Sequence, residues 1–281
     1  MGLFNKDRRD GKYIKPKGSI AVIFPYIFNR RTDAEVSTTF DFDIEELCKY
    51  VDKKNKSGKL EYKMTYFHAI LATFGVVFFN RNKLNRFIQN KRVYERDKVS
   101  FAFIAKDKMT DNADEKIICL ELNPEENALE MSKRAAIDVF QSKNEGKNDF
   151  DDTLQFFTKL PGWLLGMIVG FVKFLDKHGW NPKFLTEGDT NYATVIFSNL
   201  GSIHANSCYH HLNEYGTNSI VITIGTIHEV DGRRRVDLTF TLDERIADGF
   251  YFAKSVNMAQ DVALHPEVLD KKLSQKYEWK D

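Results

Sequence analysis

A strand, a tight corner and a helix near the C-terminus constrain the fold more than any other stretch. From Val236 to Leu242, apolar and polar residues alternate, which is typical of a strand that buries one face. After Gly249, apolar residues recur every three or four positions up to Pro266, which predicts an amphipathic helix. Five residues between them have a charged side chain or none, and they are Asp243, Glu244, Arg245, Asp248 and Gly249. Loops held by rigid elements concentrate function, so we expect functional residues at this corner.

The remaining periodicity mixes strands with helices. Strands are predicted over 36–42, through Phe103, from Ile117, and on both sides of a two-residue Asp231-Gly232 turn. Helices are predicted from Thr65, as N-cap, to Asn80 and over about 125–141, with His68 expected as a hydrogen-bonded core histidine. The residues alone thus predict an α/β fold. We expect a basic arm over residues 1–18 and a single domain over 19–281, with a helical insertion at about 142–190.

Charge and cysteine content exclude several classes of protein. The 281 residues include 41 basic and 40 acidic ones, a net charge of +1 without the broad basic surface of nucleic-acid-binding proteins. Cys48, Cys119 and Cys208 lie far apart without metal-ligand spacing, so neither a disulfide framework nor a metal site is expected. The polar N-terminus lacks the apolar region of a secretory signal. We therefore expect a cytoplasmic protein without metal or nucleic acid.

Residues 160–175 form an unusual segment that carries no charge before Lys173. Gly162, Gly166 and Gly170 fall at four-residue spacing and would share one helical face. The segment is too short to cross a bilayer. We expect a packed helix or an apolar lid, and the alternative is contact with a membrane surface assisted by the basic arm.

Three ordered motifs resemble the chloramphenicol acetyltransferase and dihydrolipoamide acyltransferase superfamily, which includes the catalytic domains of 2-oxoacid dehydrogenase acyltransferases. They are the turn Lys83–Asn85 after the buried helix, the strand end Ser198–Gly201, and the corner Asp243–Gly249. The corner is similar to the family signature HxxxDG, but Glu244 stands where the family has its catalytic histidine. The order and rough separation of the three motifs match the family across residues 36–269.

This resemblance implies a mixed sheet flanked by helices and a homotrimer with active sites between subunits. In such sites the thiol of coenzyme A, or of a dihydrolipoyl group, meets an acyl donor or a small-molecule acceptor. Ser198 matches the hydroxyl that stabilises the oxyanion. Asp248 matches an aspartate that supports the corner through an arginine of the N-terminal region, here Arg30 or Arg31, and Gly249 matches the family glycine.

Glu244 leaves two functional hypotheses open. A free carboxylate has a pKa about 4 units below that of a thiol, which makes proton transfer uphill by roughly 6 kcal/mol, although burial reduces the difference. Glu244 is therefore either a general base in an acyltransferase or one half of an ion pair in a catalytically silent ligand-binding or scaffold protein. A substitute base is a further alternative, offered by His204, His210 or His211, although such residues are more typical of hydrogen-bonded surface loops.

Overall fold

A mixed sheet of six strands organises the structure, a computed structural model that describes residues 7–58, 60–106, 115–144, 157, 159–186 and 188–279. The strands are β1 (Lys12–Ile14), β2 (Glu35–Asp43), β3 (Arg86–Gln89), β4 (Arg92–Glu95), β5 (Ser100–Lys106), β6 (Glu115–Glu121), β7 (Val195–Asn199), β8 (Ile220–Val230) and β9 (Arg233–Asp243). The large sheet has the order β2-β9-β8-β7-β5-β6. Strand β7 runs parallel to both of its neighbours, and the other pairs are antiparallel.

Helices flank this sheet, which confirms the predicted α/β fold. They are α1 (Ser19–Ile27), α2 (Glu45–Lys56), α3 (Tyr66–Asn80), α4 (Ala128–Asn144), α5 (Gly162–His178) and α6 (Gly249–Leu264). Helix α3 is buried along most of its length because it is apolar on nearly every face. Phe74 and Phe78 of this helix contact Phe197, Phe240 and Phe101 of the sheet, with ring centroids 5.6–5.8 Å apart. These aromatic contacts join α3 to the centre of the sheet.

The start of α3 is closed by a reciprocal pair of hydrogen bonds. The Thr65 hydroxyl accepts from the His68 backbone N–H at 3.2 Å, and His68 Nδ1 accepts from the Thr65 backbone N–H at 3.3 Å. Such a capping box satisfies two backbone donors that the helix itself leaves without partners. His68 is 9% exposed, so the prediction of a hydrogen-bonded core histidine is confirmed.

A smaller sheet of order β1-β4-β3 joins the N-terminal segment to the rest of the chain. Arg8 is buried, donates to the backbone oxygen of Asp176 at 2.6 Å, and packs over the rings of Phe87 and Tyr94. Residues 7–14 of the segment predicted as a basic arm therefore belong to the packed fold. Residues 1–6 of that segment lie outside the described residues.

The strand, corner and helix near the C-terminus form as predicted. Asp231 and Gly232 both have positive φ, 51° and 74°, as the hairpin between β8 and β9 requires. Strand β9 ends at Asp243, and α6 begins at Gly249 after the N-cap residue Asp248. In the antiparallel register with β2, Asp243 lies opposite Glu35.

The apolar segment 160–175 lies largely within the helix α5, which is half-buried along one face by the described chain and exposed along another. Trp163, Met167 and Phe171 are 70%, 63% and 61% exposed. No atom lies within 4 Å of the position that a Cβ would take at Gly162, Gly166 or Gly170. None of the helices in the described ranges is long and apolar enough to cross a membrane. The predicted insertion at 142–190 also includes residues 145–156, 158 and 187, which lie outside the described part.

Candidate active site

A groove of about 870 Å³ opens beside the corner between β9 and α6. The corner contributes residues 244–249 to its lining, and the N-terminal segment contributes residues 14–21 together with Phe24 of α1. Lys83, from the first of the three sequence motifs, and Arg86 also line it. The fold thus brings two of the three motifs to one cavity.

The carboxylate of Glu244 is available to a ligand in this groove. The backbone N–H of Glu244 donates to the Ala34 carbonyl at 2.9 Å, which fixes its position after β9. Its half-buried side chain makes no hydrogen bond or ion pair with any described residue. The ion pair that we considered as the alternative role for Glu244 is therefore not formed within the described chain.

The neighbours of Glu244 on both sides are paired with each other. Arg245 donates from Nε and Nη2 to the two carboxylate oxygens of Asp243 at 2.7 and 2.6 Å, and from Nη1 to the Phe28 carbonyl at 2.6 Å. Both side chains of the pair are buried. A bidentate buried pair of this kind is rigid, so it fixes the corner while directing Arg245 away from Glu244.

Asp248 supports the corner through contacts other than the one we predicted. It caps α6 by accepting from the Tyr251 backbone N–H at 2.8 Å, and its carboxylate lies 3.7 Å from Lys83 Nζ. The Tyr251 hydrogen bond lowers the pKa of Asp248, and the charge of Lys83 acts in the same direction. The predicted ion pair of Asp248 with Arg30 or Arg31 is wrong for the described chain.

Arg31 is instead buried and stabilises the loop before β8 through hydrogen bonds. It is 3% exposed and donates to the carbonyls of Asn213 and Gly216 at 2.7 and 2.6 Å. Burial lowers its pKa, although the charge of Asp243 opposes that shift. A Cβ at Gly249 would meet no atom within 4 Å, so within the chain nothing crowds this glycine.

Ser198 lies apart from Glu244 within one chain. It pairs in register with Thr223 of β8, which in turn pairs with Thr239 of β9. Glu244 follows Thr239 by five positions, so the two site residues are separated by about 17 Å along the strands and about 10 Å across them. The half-buried Ser198 hydroxyl makes no hydrogen bond with any described residue. A site that uses both residues therefore has to combine them from different subunits.

The three histidines lie on an exposed segment, residues 204–211, that follows β7. His204 has a left-handed backbone, with φ of 58°, and His210 Nε2 lies 3.7 Å from Cys208 Sγ. His211 Nδ1 lies 2.8 Å from a carboxylate oxygen of Glu35. Because Glu35 pairs in register with Asp243, His211 lies at the same end of the sheet as the corner. Of these three histidines, His211 is the one with a carboxylate partner among the described residues, as an oriented general base requires.

Sequence reasoning missed the basic lining of the groove and the partner of His211. Lys15 and Lys17 line the groove, and their side chains make no ion pair with the described residues. Glu35 opens β2, and the sequence signals its closeness to His211 only once the β2–β9 register is known. Within the described ranges, no three His, Cys, Asp or Glu side chains lie close enough to hold a metal ion.

Comparisons with known proteins show the same fold. No protein-family model and no curated protein matches the sequence. A probable dihydrolipoamide acetyltransferase from Listeria monocytogenes 4b F2365 aligns over 96% of this chain and 98% of its own, with a TM-score of 0.57 and 12% identity. The Azotobacter vinelandii dihydrolipoamide acetyltransferase aligns over 92% and 94%, with a TM-score of 0.57 and 13% identity.

A chloramphenicol acetyltransferase aligns over 89% of this chain and 98% of its own, with a TM-score of 0.55 and 10% identity. The chain therefore has the fold of dihydrolipoamide acetyltransferase catalytic cores and of chloramphenicol acetyltransferase, as the three motifs predicted. Similarity at these identities establishes the fold. The reaction depends on the residues of the site, because one fold can support many functions.

Proposed function

We propose that this protein is an acyltransferase that moves an acyl group between a thiol carrier, coenzyme A, and a small-molecule acceptor. The observation that carries the proposal is the carboxylate of Glu244, which pairs with no described residue and lines the groove at the position of the histidine in the HxxxDG signature. A carboxylate fixed by its backbone and free of partners is suited to exchange a proton with a ligand.

In the proposed reaction Glu244 removes the proton from the acceptor nucleophile, which attacks the thioester carbonyl of acyl-coenzyme A. The carbonyl oxygen becomes an oxyanion, and the Ser198 hydroxyl of a neighbouring subunit donates a hydrogen bond to it. When the intermediate collapses, the carbon–sulfur bond breaks and Glu244 returns its proton to the leaving thiolate. The products are the acylated acceptor and free coenzyme A.

A carboxylate base needs a site that excludes water. Transfer from a thiol to a free carboxylate is uphill by roughly 6 kcal/mol, because their pKa values differ by about 4 units. Desolvation favours the protonated form of a carboxylate, so a ligand that fills the groove makes a carboxylate there a stronger base. The apolar side chains of Ile246, Ala247 and Phe24 in the lining suit this role.

Two further features support coenzyme A and a homotrimer. Lys15 and Lys17 supply positive charge to the lining and make no ion pair with the described residues, and phosphate groups such as those of coenzyme A bind to lysine. The separation of Ser198 from Glu244 within one chain fits a site shared between subunits of a closed ring, for which we propose a trimer.

The test is turnover of a panel of acyl-coenzyme A thioesters with mixed small acceptors, followed as free thiol release, for the wild type and Glu244→Gln. We expect turnover in the wild type and a decrease of about 10²-fold or more in the variant, the usual contribution of a general base. Glu46→Gln is the matched control, because Glu46 is an exposed carboxylate of α2 paired with Lys49 and should leave turnover unchanged.

The second candidate is a catalytically silent protein that binds a ligand in the same groove. It is favoured by the loss of the family histidine and by the distance between Ser198 and Glu244 within one chain. Binding of acyl-coenzyme A by calorimetry without turnover in any acceptor mixture would support it. Turnover that Glu244→Gln abolishes would rule it out.

A further inference from the structure

The outward side of α5 is an apolar stripe. Trp163, Met167, Phe171 and Phe174 follow one another at four, four and three positions, so they share one face of the helix, and their exposed fractions are 70%, 63%, 61% and 49%. The half-buried residues of α5 lie on another face and are Leu164, Leu165, Ile168, Val172 and Leu175. The helix is therefore apolar both toward the protein and away from it.

Helix α1 exposes a second set of apolar side chains. It contains no charged residue, and Pro25 is its buried side chain. Ile20, Ile23, Tyr26 and Ile27 are 66%, 50%, 59% and 61% exposed. Apolar exposure of this extent on two helices marks an interaction surface rather than ordinary scatter of surface hydrophobic residues.

The two helices meet at the hairpin between β3 and β4. Lys91, in the hairpin turn, places its Nζ 5.0 Å from the ring centroid of Tyr26 near the end of α1. Gln89, two positions earlier, donates to the Asp176 carboxylate near the end of α5 at 2.6 Å. The C-terminal ends of both helices thus contact one short hairpin, and we call the exposed apolar residues of the two helices together the apolar surface.

The charges that border the apolar surface are basic. Lys173 and Lys177 lie on α5, and Lys15 and Lys17 precede α1, all with exposed side chains. The acidic residue of α5, Asp176, is buried and accepts hydrogen bonds from Arg8 and Gln89, and α1 has no acidic residue. The whole chain carries a net charge of only +1, so this local excess of positive charge does not follow from the overall composition.

We propose that the apolar surface docks onto an anionic lipid bilayer. Exposed aromatic and aliphatic side chains bordered by lysines are the pattern of helices that lie in the membrane interface, where the apolar face enters the acyl boundary and the lysines contact anionic headgroups. Trp163 and Tyr26 have the amphipathic rings that favour this interface. Helix α5, about 26 Å long, would lie along the bilayer plane.

The position of α1 links this surface to the groove. Ile20, Ala21 and Phe24 of α1 line the groove beside the corner, while Ile23, Tyr26 and Ile27 of the same helix belong to the apolar surface. Docking would hold the groove next to the bilayer. The docking itself does not depend on the proposed transferase activity.

The experiment is sedimentation of the full chain with vesicles of phosphatidylcholine alone or mixed with phosphatidylserine. We expect the protein to pellet with the mixed vesicles, to bind the neutral ones weakly, and to dissociate as salt is added. The double variant Trp163→Ser/Phe171→Ser should lose affinity by about tenfold or more, because two large apolar side chains are removed from the interface. Lys173→Glu/Lys177→Glu should weaken binding to the mixed vesicles by a similar factor.

The matched control is Tyr209→Ser, which removes an aromatic side chain of comparable exposure, 64%, from the segment after β7. It should bind as the wild type does, and circular dichroism should show that every variant is folded. Wild-type protein that stays in the supernatant with both vesicles overturns the proposal. An oligomer that dissociates in the Trp163→Ser/Phe171→Ser variant, without any vesicle binding by the wild type, would show that the surface joins copies of this chain instead.

Discussion

Arg245 donates two hydrogen bonds to the carboxylate of Asp243, and neither residue forms a side-chain hydrogen bond or ion pair with Glu244, which lies between them in the sequence. Because the two sequence neighbours of Glu244 pair with each other, they determine which side chains of the corner remain available to a ligand. A buried charge is costly unless it is paired, and the Arg245 guanidinium and the Asp243 carboxylate at the end of β9 pair with each other. Glu244 is thereby left as a groove-lining carboxylate that makes no ion pair with the described residues, whereas Asp248, which also lines the groove, lies 3.7 Å from Lys83 Nζ.

Loss of the Arg245 guanidinium should destabilise the protein strongly. In Arg245→Met the buried Asp243 carboxylate loses its bidentate guanidinium partner, and we expect the free energy of unfolding to fall by about 3–5 kcal/mol. The control is Arg235→Met, which breaks the exposed pair with Asp41 and should change stability by about 1 kcal/mol or less. Urea unfolding of both variants gives the comparison, and equal losses would contradict a special role for the buried pair.

Glu244→Gln should separate activity from stability. Because the side chain makes no hydrogen bond or ion pair with described residues, its replacement by an isosteric amide should change the free energy of unfolding by about 0.5 kcal/mol or less. Turnover should nevertheless fall about 10²-fold or more. Thermal unfolding measured on the assayed samples checks both parts, and a variant that is inactive because it is unfolded would leave Glu244 without the proposed role.

A shared site makes a prediction about mixed subunits. Ser198→Ala and Glu244→Gln should each be inactive alone, while their co-expression should restore about one quarter of the wild-type sites in a random equal mixture of trimers. Those sites combine Glu244 of one subunit with Ser198 of the next. Activity of the purified mixture no higher than that of either variant would show that the two residues do not meet between subunits.

Local sequence patterns predicted the strand and the helix that form the corner, but they did not predict its long-range contacts. Alternation fixes strand β9, and the three- and four-residue spacing fixes α6, because each depends on a few adjacent residues. The partners of Arg31 depend instead on where the loop around Gly216 lies, and the pairing of Asp248 with Lys83 depends on where the turn after α3 lies, which no short pattern encodes. The pairing of His211 with Glu35 likewise follows from the β2–β9 register.

Two other differences have local physical causes. The sequence did not predict the hairpin of β3 and β4. Its turn residues Asn90 and Lys91 both adopt positive φ without the glycine that usually signals such a turn. For α5, apolar side chains lie on the half-buried face and also on the exposed face, so the sequence gives no signal of which face is covered. The pattern therefore predicted the helix and not its exposure.

His68 should make stability depend on pH. Burial lowers the pKa of this imidazole to about 4, against about 6.5 in an unfolded chain. Protonation at Nδ1 would also remove the acceptor of the Thr65 N–H that closes the start of α3. Between these pH values the unfolded chain binds a proton that the native protein does not, so the free energy of unfolding falls as the pH decreases from about 6.5 to 4.

The expected loss from His68 alone is about 3 kcal/mol over that range, which corresponds to roughly 2.5 pKa units. His68→Gln isolates this contribution, because glutamine is a usual partner in a capping box and does not titrate. Urea unfolding of both proteins at neutral pH and near pH 4 should show a decrease about 3 kcal/mol larger for the wild type. Parallel decreases would mean that His68 binds protons equally well in the native and unfolded states, contrary to its burial beside Thr65.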